Sequence, residues 1–124
     1  MADEISANAS LRVLKGYLDL TRAPAPVRAT MAGAHMSAGV NSIGFAAHEA
    51  LPVSGDVATA GWAFFRNLDA THFVQVGLDV AAAFVPFLKL LPGEFAGPVR
   101  LATTAVYAKA DTAAVALDWM ILEA

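Results

Sequence analysis

Two runs of strict two-residue alternation constrain what this chain can fold into. Phe73–Val80 reads F-V-Q-V-G-L-D-V, with Val74, Val76, Leu78 and Val80 on one parity and Phe73, Gln75, Gly77 and Asp79 on the other. Val115–Glu123 reads V-A-L-D-W-M-I-L-E, where Val115, Leu117, Trp119 and Ile121 alternate with Ala116, Asp118 and Met120. Successive side chains of a strand point to opposite faces, so such runs suit a half-buried sheet, and β-branched residues on the apolar parity reinforce that reading. A weaker run, Leu11–Thr21, puts Leu14, Leu18 and Leu20 on one parity and Asp19 and Thr21 on the other.

Turn chemistry punctuates the chain between these runs. The signals are Lys15-Gly16, the Pro-rich Ala23–Val27, Ser54-Gly55-Asp56, Asn67-Leu68-Asp69, Pro92-Gly93-Glu94, Gly97-Pro98 and Ala110-Asp111-Thr112. From Ser54 onward they recur every 10–20 residues or so, the rhythm of short strands in a sandwich or barrel. Pro92-Gly93 fits positions i+1 and i+2 of a type II turn, because proline presets φ and glycine accepts a positive φ. It is the strongest hairpin signal, joining Phe84–Leu91 to Glu94–Leu101. The expected fold is all-β, an antiparallel β-sandwich or jelly-roll-like barrel with an extended N-terminal arm. Residues 1–36 are expected to form the arm and first strand, and residues 37–124 the sandwich core. The competing expectation is an alanine-rich helical bundle: the chain holds 28 alanines, and Phe73, Val76, Val80 and Phe84 also fit a helical stripe. Six prolines and nine glycines spread along the length would break such helices into short pieces.

Composition removes several function classes. With 124 residues the chain is the size of one domain, and with no cysteine it has neither disulfides nor thiolate metal sites. Net charge is −3 and the eight Lys and Arg are scattered, so the basic footprint of a nucleic-acid binder is missing. Mean hydropathy is high at +0.55. Yet the longest stretch free of Asp, Glu, Lys and Arg, between Arg28 and Glu49, contains His35, Asn41 and His48 and is too polar for a spanning helix. No membrane partner is expected. The acidic, polar start MADEISANAS does not read as a signal peptide, which points to assembly in a cytoplasm. Charged residues make up 15% of the chain, against the 25–35% or so that covers a free soluble surface. The deficit implies that protein partners cover much of the exterior.

The residues that carry chemistry do not assemble into a known motif. His35, His48 and His72 stand too far apart for a compact metal site, and no serine sits in a nucleophile elbow. Gly33, Gly39 and Gly44 are not followed by the Lys-Ser/Thr of a phosphate loop. Asp69 and Glu94 fall in turns, where carboxylates cap their own backbone, and Asp118 falls on the outward parity of its strand. No catalytic residue, cofactor or metal is expected. The densest aromatic group is Trp62, Phe64, Phe65 and Arg66. In a strand one parity of this group fills the core, and the other is a candidate subunit contact, because Trp, Phe and Arg anchor protein interfaces. The Pro-rich Ala23–Pro26 reads as an extended, linker-like piece of the arm, suited to strand addition on a neighbour or to a simple tail.

Three segments, in order, resemble small virion proteins of tailed bacteriophages. They are Gly55–Asp69 (G-D-V-A-T-A-G-W-A-F-F-R-N-L-D), Phe84–Leu101 (F-V-P-F-L-K-L-L-P-G-E-F-A-G-P-V-R-L) and Tyr107–Val115 (Y-A-K-A-D-T-A-A-V). The resemblance spans about residues 38–124 and departs from the pattern in its alanines, notably Ala81-Ala82-Ala83. It implies a β-sandwich component of a viral particle with no catalytic motif. The expected function is a non-enzymatic phage virion protein, a capsid decoration or cement protein that binds and stabilises neighbouring shell subunits. Its partners would be other virion proteins (major capsid protein or tail subunits) and copies of itself in a homo-oligomer, with the virion as its location. Two alternatives stay open: a tail or head-fibre adaptor module of the virion, and an Ala/Gly-rich helical membrane-active protein.

Overall fold

The computed structural model describes residues 3–124, so the first two residues of the expected arm lie outside it. Among the described residues there are twelve strands and no helix, and the helical alternative is set aside. Two compact units divide the chain, Met1–Ala32 and Gly33–Ala124, so that Gly33–Met36 belong with the second unit rather than with the arm.

The first unit is a ladder folded back on itself. β1 (Ile5–Ala7) pairs antiparallel with β4 (Val27–Ala29), and β2 (Leu11–Lys15) pairs with β3 (Leu18–Arg22). The ladder breaks at Ala23–Pro26, where Pro24 and Pro26 have no N–H to donate. Gly16-Tyr17 makes the two-residue loop between Lys15 and Leu18, with Gly16 at φ +56° in the first loop position, as a type II′ turn requires. Its register pairs Leu14 with Asp19 and Val13 with Leu20. Leu14 therefore lies on the face opposite Leu18 and Leu20, which corrects the expected parity. A two-residue loop pairs odd residues of one strand with even residues of the other, so equal parity in the sequence means opposite faces.

The second unit is an antiparallel β-sandwich of two open four-stranded sheets. Its strands are β5 (Met36–Ile43), β6 (Glu49–Ala50), β7 (Ala60–Asn67), β8 (Val74–Val80), β9 (Ala83–Leu90), β10 (Phe95–Arg100), β11 (Tyr107–Ala110) and β12 (Val115–Glu123). One sheet runs β10-β7-β12-β5 and the other β6-β11-β8-β9; neither closes into a barrel. The alternation in β12 behaves as its sequence requires: Val115, Leu117, Trp119 and Ile121 are all buried. In β8, Val74 and Val76 are buried, but Leu78 is half-buried and Val80 exposed, because the hairpin outruns the core. Both sheets feed one apolar cluster, with Phe65, Trp119 and Leu117 from the first meeting Val74, Val76 and Ala108 from the second.

The corners explain most of the turn signals. β5–β6, β7–β8, β9–β10 and β11–β12 each carry the chain from one sheet to the other. Pro92-Gly93 does form its turn: Glu94 N donates to Leu91 O at 2.9 Å, and Gly93 has φ +80°. It is nevertheless not a hairpin, since β9 and β10 lie in different sheets. The only strands of this unit that are consecutive in the chain and paired are β8 and β9. They are joined by Ala81-Ala82 with φ of 53° and 68°, the type I′ geometry that usually requires Asn or Gly.

Candidate interface

The aromatic group on β7 is sorted by the pleat. Phe65 is 0% exposed and sits in the core between Ala63 and Asn67, so it is removed from the candidate contact residues. Its inward course follows from the register: Phe65 lies opposite Trp119 on β12 and Ala96 on β10, both facing the second sheet. Trp62, Phe64 and Arg66 take the other parity and face outward.

Pairing extends that outward row into a surface. Residues directly opposite in an antiparallel ladder share a face. Phe64 lies opposite Met120, Arg66 opposite Asp118 and Phe95, and Trp62 opposite Arg100. On the far side of β12, Asp118, Met120 and Leu122 lie opposite Val40, Ala38 and Met36. The Phe64 and Phe95 rings stack with centroids 5.7 Å apart. The Arg100 guanidinium stands 5.6 Å over the Trp62 ring, whose buried Nε1 is left without an acceptor, an unpaired donor at the edge of this face. Met36, Val40, Phe95 and Met120 are all exposed. The outer face of β10-β7-β12-β5 is thus an apolar strip, with Arg66, Arg100 and Asp118 as its charges. Sequence reasoning found Trp62, Phe64 and Arg66 but missed Phe95, Met120, Val40 and Met36. Only the strand order brings these together.

The first unit presents a second apolar face. Leu11, Val13, Leu18 and Leu20 line one side of the β2–β3 hairpin in register, with Lys15 and Arg22 at its ends. Leu11 is 76% exposed and Leu18 60%. Tyr17 at the loop tip is fully exposed. The reverse face carries Arg12 and Asp19, 3.7 Å apart.

The groups with chemical potential are used in holding the sandwich together. Each histidine faces one carboxylate. His35 Nδ1 lies 2.9 Å from Glu123 Oε2, His48 Nε2 2.8 Å from Asp79 Oδ2, and His72 Nδ1 3.4 Å from Asp69 Oδ2. His48 also stacks on Phe84 and meets the edge of Tyr107, fixing the β5–β6 connection against the second sheet. These contacts, with backbone N–H donors, favour the ionised carboxylates. Asp79 is lowered chiefly by His48, Glu123 chiefly by His35, and Asp69 chiefly by the N–H groups of Thr71 and His72. No three His, Cys, Asp or Glu among the described residues gather as metal ligands. A shallow depression on β8 and β9 is lined by Gln75, Pro86, Phe87, Leu88 and Lys89, with no carboxylate, hydroxyl or imidazole to do chemistry.

Asn67 is the polar residue sequence reasoning passed over. It is fully buried at the end of β7. Its Nδ2 donates to His72 O and Leu90 O, both at 2.9 Å, and its Oδ1 accepts from Asp69 N at 2.7 Å. Its main chain bonds Glu94 O and Gly93 N, so one side chain and one peptide unit bind two inter-sheet corners together.

A scan against protein-family models, a search of curated proteins and a search of solved structures each find no match to this chain.

Proposed function

We propose that this chain is a non-enzymatic structural protein of a tailed-phage particle, a decoration or cement protein that binds neighbouring shell subunits and stabilises the shell. The observation that carries the binding role is the β2–β3 hairpin. It holds four large aliphatic side chains on one face with no core of its own beneath them. An isolated two-stranded hairpin is marginal in water, and one that exposes such a face is suited to lie against another protein. The outward strip with Trp62, Phe64, Phe95 and Met120 gives the sandwich a second contact surface. Two surfaces on one small chain allow it to touch more than one neighbour, and linked contacts raise affinity beyond either alone. The particle assignment is supported by the ordered motifs of Gly55–Asp69, Phe84–Leu101 and Tyr107–Val115, which fall on β7, on β9–β10 and on β11.

The test is co-sedimentation of purified protein with empty shells of the phage that encodes it, followed by counting copies per particle. Saturable binding at hundreds of copies is the expected result. A few to tens of copies would move the protein to the tail or head-fibre apparatus. A monodisperse monomer with no affinity for shells would end the particle reading.

A further inference from the structure

The two sheets of the sandwich end in four strand edges, and three of them are blunted. β9 carries Pro86, Lys89 and a break in register, and β10 carries Pro98, Arg100 and another. β6 is only two residues long. Proline, cations, bulges and brevity are the usual protections against edge-to-edge pairing. β5 has none of them. It runs eight residues, M-S-A-G-V-N-S-I, with neither charge nor proline. Its register with β12 is unbroken on one side, and no described strand pairs with it on the other. The ladder fixes which backbone groups that open side presents. In an antiparallel pair, alternate residues turn their N–H and C=O to opposite sides. Glu123 N donates to His35 O and Leu68 N donates to Ala116 O, so odd residues of β12 bond β5 and even ones bond β7. Ser37, Gly39, Asn41 and Ile43 therefore bond β12, and Met36, Ala38, Val40 and Ser42 turn their N–H and C=O to the open edge.

We infer that β5 pairs antiparallel with β5 of a second copy of this chain, about a twofold axis at Gly39, joining two four-stranded sheets into one. Only an extended backbone matches this row of donors and acceptors. The row is complementary to itself. With the axis at Gly39, Met36 lies opposite Ser42 of the second copy and Ala38 opposite its Val40, so every open N–H and C=O of both strands has a partner. A shift by two residues leaves Met36 or Ser42 outside the ladder. The central pair is non-hydrogen-bonded, where Cα atoms approach to about 4.5 Å, and Gly39 brings no side chain to that approach. A twofold contact sets like against like, and an uncharged edge allows this without repulsion. The closest charge on the outer face is Asp118, one strand in and opposite Val40. Asp118 and its counterpart stand three strand spacings apart, about 14 Å, beyond the screening length of about 8–10 Å. One such closure uses both unprotected edges, whereas pairing with a blunted edge leaves one open. The inference goes beyond the shell reading and stands on a different surface from the hairpin face that carries it.

Cysteine placement tests it, on a chain with no cysteine of its own. A Cβ at residue 39 meets only Asn41 Oδ1, at 3.6 Å, so Gly39→Cys fits the strand. Under mild oxidation this variant is expected to cross-link into a dimer, because the Cα separation of the central pair suits a disulfide. Ala38→Cys and Val40→Cys should not, each lying diagonal to its own counterpart at about 7–8 Å. Wild-type full-length chain should show a concentration-dependent dimer in sedimentation velocity, little altered by salt. Ala38→Lys with Val40→Lys sets like charges opposite each other across the axis and should weaken dimerisation by roughly tenfold or more. Both positions are exposed, and an unchanged thermal midpoint verifies that the sandwich still folds. A wild type that is monomeric at every concentration, cross-linking at 38 or 40 as fast as at 39, or a double-lysine variant that dimerises as well as wild type each overturns the proposal. Shell co-sedimentation of the same samples separates the two readings. A monomeric wild type that binds shells removes the edge pairing and leaves the particle role standing, whereas a dimer without affinity for shells does the reverse.

Discussion

The two units use the same local pattern to opposite ends. In β12 every second residue is apolar, and all four of Val115, Leu117, Trp119 and Ile121 vanish into the core. In β2 and β3 the apolar set Leu11, Val13, Leu18 and Leu20 is equally regular in register, and every member stays exposed. Alternation thus fixes which residues share a face, but a second layer decides whether that face is a core or a contact surface. The sharpest way to break the comparison is to truncate one large residue in each. Trp119→Ala should cost the sandwich about 3–5 kcal/mol, since it empties a packed site and removes the Nε1 donor to Asn41 Oδ1 at 2.7 Å. Leu18→Ala should change the stability of the free chain by less than about 0.5 kcal/mol. Urea unfolding of the two variants measures both, and equal losses would mean that the hairpin has a core after all.

The next effect concerns how the sandwich closes its corners. Asn67→Ala strands the Leu90 and His72 carbonyls and the Asp69 N–H, for a loss of about 2–4 kcal/mol. The same substitution at Asn41, on the rim of the core, should cost less, because it leaves only the indole N–H of Trp119 without its acceptor. Chemical denaturation of the pair ranks them, and a reversed order would show that the corners close without Asn67.

How much of this was legible depends on the range of each interaction. The strand character of Phe73–Val80 and Val115–Glu123 was written in neighbouring residues, and so were the turns at Gly16, Ser54-Gly55-Asp56 and Pro92-Gly93. Sheet membership was not: Pro92-Gly93 looks the same whether it turns a strand back on its partner or across to the facing sheet. Asn67 read as turn chemistry because its Leu90 acceptor lies 23 residues away. The interface row was half legible. The β7 sequence placed Trp62 and Phe64 on one parity and Phe65 on the other, but gave no sign of which parity faced in. Phe95, Met120 and Val40 joined the outward one only through the order β10-β7-β12-β5.

The β8–β9 hairpin was invisible for a different reason. Its loop residues Ala81 and Ala82 contradict their own geometry, and the pairing of Val80 with Ala83 imposes positive φ on both. The left-handed conformation is costly for an alanine, with a Cβ close to its carbonyl. Ala81→Asn combined with Ala82→Gly places the favoured residues of a type I′ loop there and should stabilise the sandwich by about 1 kcal/mol. The Ala82 N–H donor to Asp79 Oδ1 is kept, as it is backbone. Applied to the Gly16-Tyr17 loop of the arm, where glycine already occupies the positive-φ position, the same Asn-Gly exchange should gain nothing. Thermal unfolding of the two double variants makes the contrast, and a gain from both would detach the effect from backbone conformation.

The smallest effect is electrostatic and belongs to the sandwich. Asp69, Asp79 and Glu123 have carboxyls held below their ordinary values, 3.8 for Asp and 4.5 for Glu. A group lowered on folding contributes stability that is complete above its unfolded value and is lost as pH falls through the folded one. The thermal midpoint of the sandwich should therefore hold level from neutral pH down to about 5 and decline below that, as protons displace the His48 and His35 contacts and the Thr71 and His72 N–H bonds. Asp79→Asn should flatten part of the decline, because an amide cannot take up the proton. It should also lower the midpoint at neutral pH, where His48 loses its carboxylate partner 2.8 Å away. Calorimetry of wild type and variant at matched pH values reads both changes. An unaltered slope in the variant would show that the His48–Asp79 contact, unlike the apolar core around it, leaves the stability of the sandwich unchanged.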